Sequence, residues 1–296
     1  MTLGISILLG FGFVSLRVYQ TTTPDRQSQA LFDFASMRMR VDEVVFPAAD
    51  GVELDGWWMP ADLPAPTIVL CHAVDQSKRS MLNLAMALRE SGFSVLMFDF
   101  RGHGTSAGTR SSLGMVEKRD LLGAIDWLGE GEDRSGPVGV FGAGMGAHAA
   151  VLAAAERREL DVLVLDGLYP DVQYELVRRV SPDHRWARSA LSLPIAAAYF
   201  VIHGTAPSRD RAADQLDLLG GRDLLLLTPA NDSLLTAELQ QMVMELPAEA
   251  DSDGNLVVVP ATLGAGLYGD QLQRYHDRVA DFFVERLRAG VIARVD

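Results

Sequence analysis

A doubly wound α/β domain with a mostly parallel sheet is the fold class this sequence predicts, and three observations predict it. Short continuous apolar runs recur along the chain, and segments of helical period lie between them. A hairpin signal, Asp50-Gly51, joins two runs before that alternation begins. The length of 296 residues, with 48% hydrophobic and 22% charged residues, suits one large domain with a substantial core.

The elements follow in order. Residues 41–46 and 52–58 flank the Asp50-Gly51 turn, where Gly51 supplies the positive φ that a tight hairpin needs. Further runs stand at 67–71, 94–98, 138–141, 162–165, 224–227 and 256–259. Runs this continuous fit strands covered on both faces, as in a parallel sheet. Met81, Leu84, Ala85 and Leu88 share one helical face, and Gly92 is placed to stop that helix. Leu121, Ile125 and Leu128 repeat the pattern. Tyr275, Val279, Phe282 and Phe283 mark a last amphipathic helix, on which His276 is expected to face solvent. An opening hairpin followed by strand–helix alternation is the signature of the doubly wound class. Residues 171–219 are too long for a simple crossover. They carry Arg178, Arg179, Arg185, Trp186 and Arg188 and are expected to form a cap over the carboxyl end of the sheet.

Composition removes several function classes. The formal net charge of −13, with no basic tract, argues against nucleic acid as a partner. Cys71 is the single cysteine, so neither an internal disulfide nor a thiolate metal cage can form. No two histidines stand at ligand spacing, and no metal or other cofactor is expected. The compartment and the oligomeric state stay open.

The N-terminus departs from this pattern. Residues 3–16 are uncharged and apolar, and Arg17 closes the run. A bilayer span takes about 17–25 residues, so the run suffices only if Arg17 snorkels and Val18 and Tyr19 extend it. No basic residue precedes it and no small-residue cleavage site follows. Residues 1–20 are therefore expected to be an uncleaved membrane anchor, which makes the membrane a partner through the N-terminus. A cleaved signal or an apolar leader packed on the domain are the alternatives. A polar linker at 21–40 and a domain at 41–290 would follow.

In doubly wound sheets the ligand site lies at the carboxyl ends of the strands. Three segments stand there: Leu70-Cys71-His72, then Phe98-Asp99-Phe100-Arg101-Gly102-His103-Gly104-Thr105-Ser106, then Gly142-Ala143-Gly144-Met145-Gly146. Together they resemble the α/β-hydrolase superfamily, in its serine aminopeptidase and acylglycerol-lipase-like branch, over roughly residues 41–287. The resemblance implies an α/β-hydrolase fold with a cap insertion. It also implies a Gly-x-Ser-x-Gly elbow after the fifth strand, an acid after the strand that follows the cap, and a histidine after the last strand.

On those positions this chain departs from the family. Gly144 stands at the nucleophile position and Gly264 at the histidine position, with Leu263 and Ala265 beside it; Asp232 fits the acid. Serine-type catalysis needs a hydroxyl activated by an imidazole that a carboxylate orients. Glycine has nothing to attack with, and Asp232 has no imidazole to orient. The backbone N–H of Met145, with that of Ala73 or Val74, would remain as an oxyanion-type pocket. Among possible substitutes, His148 lies one helical turn beyond Gly144, while His72 and His103 belong to loops this family uses structurally. Cys71 is expected to be packed, and Ser106 to be a turn residue. The chain is thus expected to be a pseudoenzyme that binds an acyl or other apolar ligand, or a protein partner. The alternatives are a weak or repurposed hydrolase with a relocated nucleophile, and a purely structural membrane-associated domain.

Overall fold

The computed structural model describes residues 2–26, 40–61, 65–131, 136–181, 187–229, 256–259 and 267–288. Eight strands form one sheet: β1 (Asp42–Pro47), β2 (Glu53–Met59), β3 (Thr67–Cys71), β4 (Ser94–Phe98), β5 (Val138–Ala143), β6 (Val162–Asp166), β7 (Asp223–Pro229) and β8 (Leu256–Val259). Their order is β1-β2-β4-β3-β5-β6-β7-β8. The β1–β2 hairpin runs antiparallel to the rest, joined through β2 to β4, and every pair from β4 to β8 is parallel. This is the doubly wound, mostly parallel sheet that the alternation predicts, in the α/β-hydrolase fold that the resemblance implies. Three of the runs, at 67–71, 94–98 and 256–259, coincide with the strands to the residue.

Helices cover both faces, which is why the runs are apolar throughout rather than alternating. Along β6, Leu163 and Leu165 belong to one core and Val162 and Val164 to the other. The first core lies under α3 (Lys118–Gly129) and α4 (Met145–Glu156), and the second under α2 (Leu82–Glu90) and the C-terminal helix Asp270–Phe283. Gly92, at φ +85°, ends α2 as its position predicts.

Between β6 and β7 the chain forms α5 (Val172–Val180), α6 (Ala187–His203) and the short α7 (Ala212–Leu216), after which the C-terminal helix is α8. Asp171 caps α5 by accepting a hydrogen bond from the Tyr174 N–H at 2.7 Å. Arg178 and Arg179 lie in the last turn of α5, where their charge suits the helix dipole. Arg185 and Trp186 fall outside the described residues.

Two expectations are corrected here. His276 is not solvent-facing; it is buried on α8 beside Tyr275, Val279 and Ala280, because the apolar face of that helix is wider than its strongest stripe. The membrane span expected from residues 3–16 is not supported either. Among the described residues no helix is long and apolar enough to cross a membrane. The segment forms α1 (Thr2–Thr21), which packs against α5 and α6 and buries Val14 and Val18 in the same core as Leu176, Ile195 and Tyr199. Past its end, Thr22 accepts a hydrogen bond from the Ser111 N–H at 2.8 Å.

Candidate functional site

The turn from β5 into α4 is built by three glycines with two different duties. Gly144, the residue before α4, adopts φ +50° and ψ −105°, a conformation that side chains disfavour. Gly142 and Gly146 are needed for space. A Cβ on Gly142 would fall 2.6 Å from the Ala147 nitrogen, and one on Gly146 would fall 2.3 Å from the Cys71 carbonyl oxygen. Gly144 has no such constraint, since a Cβ there would meet only the Ala73 methyl, at 3.5 Å. The turn is tied to the sheet by the Gly144 N–H, which donates to the Asp166 carbonyl at 2.7 Å.

A cavity of about 200 Å³ opens over Gly144, lined by Ala73, Val74, Met145, Tyr169, Glu175, Arg178 and Arg179 among others. The backbone N–H groups of Ala73, Val74 and Met145 donate to no acceptor among the described residues. They therefore remain available to an oxygen placed in the cavity. The wall from α5 is ionic. Buried Glu175 accepts from Arg178 Nε at 2.8 Å and from Arg179 as well, and Arg179 reaches across to Asp75 at 3.0 Å. Burial works against the charge on Arg179, but Glu175 and Asp75 overcome it and raise the pKa. The two arginines are thus balanced by two carboxylates. Tyr169 donates its hydroxyl to the Leu113 carbonyl, and burial raises its pKa, so it stays protonated.

The loop after β3 is held at three points. His72 Nε2 accepts from the Phe100 N–H at 3.1 Å while Nδ1 meets the Ala73 carbonyl at 2.7 Å, a pattern that assigns the proton to Nδ1. Asp75, at φ +64°, carries the ion pair to Arg179. At the far end the loop runs into buried Lys78, whose Nζ lies 2.6 Å from Asp99 and 3.0 Å from Thr105, and whose N–H donates to Asp99 at 2.7 Å.

Comparison with known proteins now places the chain. A family model described as serine aminopeptidase, S33, matches residues 63–217, just over half of the sequence. This chain belongs to the serine aminopeptidase S33 family. It is 30% identical over 176 residues to the uncharacterized protein YqkD of Bacillus subtilis, a match covering 58% of this chain and 57% of that one. It is 36% identical over 120 residues to the uncharacterized protein Rv2307c of Mycobacterium tuberculosis, covering 39% and 41% of the two chains. The matches span about half the length of these relatives. Among solved structures, the Pyrococcus furiosus esterase Pf2001 shares the fold with a TM-score of 0.69 at 21% identity, over 91% of this chain and 99% of its own. A ferulic acid complex of Est1E from Butyrivibrio proteoclasticus does so with a TM-score of 0.59 at 17% identity, over 83% of this chain and the whole of that one.

In this S33 family member the structure brings Gly144, Met145, Ala73 and Val74 to one cavity. It separates the candidate substitutes from it. His148 is buried, with its ring stacked on Tyr169 at 4.9 Å and its nitrogens near the carbonyls of Tyr169 and Asp210. Burial lowers its pKa, so it is a neutral, packed imidazole. Burial likewise lowers His103, whose Nδ1 meets the Arg101 carbonyl at 2.9 Å, and takes His72 down to about 3. Cys71 is buried, and burial pushes its thiol pKa up, away from the reactive thiolate. Ser106 ties its loop together by donating to the Asp99 carbonyl at 2.5 Å and accepting from the Asp55 N–H at 2.9 Å. Asp232 and Gly264 lie outside the described residues. Among the described residues no group of three or more His, Cys, Asp or Glu is arranged to hold a metal ion.

Sequence reasoning missed two parts of the site. Nothing local marks Lys78 as the partner of Asp99. Glu175 is one carboxylate of an amphipathic helix, and nothing local shows that it is buried or that Asp75, from another loop, shares its partner Arg179.

Proposed function

We propose that this chain is a serine-hydrolase-fold protein without nucleophilic turnover, which binds an apolar ligand through a carbonyl or carboxylate oxygen at the β5–α4 turn. Gly144 takes the position of the nucleophilic serine in the Gly-x-Ser-x-Gly turn, Asp232 that of the acid, and Gly264 that of the histidine. One observation carries the reading. The turn keeps its strained conformation and its two tight flanking glycines, yet the central glycine has open space where a side chain would stand. The backbone conformation favours glycine there but packing does not require it, so space alone does not account for the missing hydroxyl.

What remains is an electrostatic site. Free backbone N–H groups at the start of a helix favour an oxygen with negative character. The arginines of the wall are already neutralised by Glu175 and Asp75, so they shape the cavity without demanding a highly charged ligand. The structural neighbours named as an esterase and as a ferulic acid complex point to ester- or acyl-type compounds as the ligand class. A relocated nucleophile has less support, because no Ser, Thr, Cys or His lines the described cavity.

Labelling with a fluorophosphonate, together with hydrolysis of p-nitrophenyl esters, tests the reading. The native chain should neither label nor hydrolyse esters above background. Gly144→Ser alone should stay inactive for want of an imidazole, while Gly144→Ser with Gly264→His should begin to label. Robust serine-type labelling of the native chain would falsify the proposal.

A further inference from the structure

The exposed large apolar side chains of this protein are concentrated on two neighbouring helices. α1 presents Leu8, Leu9, Phe13 and Leu16, and α6 presents Leu193, Phe200 and Val201, several of them more than two-thirds exposed. The two helices lie against each other, and Arg110 joins their C-terminal ends by donating to the Ile202 carbonyl at 3.1 Å while its guanidinium lies over the Tyr19 ring at 5.6 Å. An outward apolar face of this extent is unusual on a water-facing surface.

Its charge is as distinctive as its hydropathy. The chain carries 39 acidic residues, yet neither α1 nor α6 contains one. Two cationic groups stand at its edge, Arg17 on α1 and Arg110 at the junction. We propose that the paired faces of α1 and α6 dock in the plane of a phospholipid bilayer. Their apolar side chains enter the acyl boundary, and Arg17, Arg110 and Tyr19 sit at the headgroups. This division of apolar face and cationic edge is the one that in-plane helices use. A second copy of the chain is a poorer occupant, because a two-fold pairing of this face would set its own cationic edge, Arg17 and Arg110, against another without an acid on either helix to meet it. In this arrangement α1 lies along the surface and crosses nothing, consistent with Val14 and Val18 being committed to the protein core. The docking needs no ligand at the β5–α4 turn. It does place the bilayer beside α5, which packs on α1 and α6 and lines the cavity.

Flotation of the full chain with vesicles tests this, using phosphatidylcholine alone and phosphatidylcholine mixed with phosphatidylglycerol. The native protein should float with the vesicles, more strongly with the anionic mixture. A Leu9→Glu, Phe13→Glu, Val201→Glu variant replaces exposed side chains, so it should keep the native circular dichroism while its vesicle affinity falls at least about tenfold. Glutamate at two exposed apolar positions elsewhere, Val45→Glu and Leu218→Glu, should leave binding unchanged. Three results would each overturn the proposal. The native chain could stay at the bottom of the gradient with both vesicle types, the triple variant could float as well as the native chain, or the face could prove to hold a lipid-free dimer that the triple variant splits.

Discussion

Two turns meet over the cavity, and they are held by opposite means. The loop after β3 is fixed by side chains: a neutral imidazole at His72, an ion pair at Asp75 and a buried cation at Lys78. The turn after β5 is fixed by the lack of them, with Gly142 and Gly146 allowing close approach and Gly144 allowing the conformation. The first arrangement depends on every polar member being satisfied, since an orphaned charge in the interior costs far more than the pair contributes. The second depends on volume at Gly142 and Gly146 and on backbone preference at Gly144. A side chain at Gly144 therefore meets no steric clash, only a backbone preference, whereas one two residues to either side would push its Cβ into neighbouring backbone.

The comparison can be broken most severely at Lys78. Lys78→Met leaves the Asp99 carboxylate buried without its cation, and unfolding stability should fall by about 3–5 kcal/mol in urea denaturation. A loss below about 1 kcal/mol would mean that the loop is not held by charge. Next in size is Gly146→Ala, which forces a Cβ onto the Cys71 carbonyl and should cost about 1–3 kcal/mol or more by the same measurement. A neutral result there would remove the steric half of the contrast.

Acidification separates the two turns again. Burial depresses the folded-state pKa of His72 to about 3, well below its ordinary value near 6.5. The unfolded chain therefore binds the proton first. The stability due to the neutral imidazole is complete above about pH 6.5 and is lost progressively as pH falls toward the folded value. The slope is about 1.4 kcal/mol per pH unit for each such histidine. Thermal melting between pH 7 and pH 5 should show this decline, and His72→Gln should flatten part of it; a native Tm that is flat over that range contradicts the assignment. The smallest effect is expected at Gly144→Ser. The side chain fits, and only its backbone preference opposes the turn, so the loss should be about 1 kcal/mol. A loss as large as that of Gly146→Ala would erase the distinction between the central glycine and its neighbour.

Much of this was legible in the chain. The periodicity sets the strands at 67–71 and 94–98 to the residue, because a strand covered on both faces must be apolar at every position. The elbow that the family resemblance implies at Gly144 carries a positive φ, and Gly144 has one, at +50°. The absence of a hydroxyl at 144 and of an imidazole at 263–265 is likewise a property of the sequence alone.

The rest depended on partners far away in sequence. An apolar run such as residues 3–16 signals that something must cover it, but the same run suits a lipid chain or a neighbouring helix. Only the packing of Val14 and Val18 beside Ile195 and Tyr199 shows that part of it is covered by protein. His148 sits one turn from Gly144 on paper, and its ring is stacked on Tyr169 in the fold. Nothing near Lys78 in the chain marks its place in the fold, where Asp55, Asp99 and Thr105 close around it. Local pattern determines backbone conformation, since that follows from sterics and period within a few residues. Which groups share a low-dielectric space is decided by long-range chain closure, and the chemistry of the site rests on that.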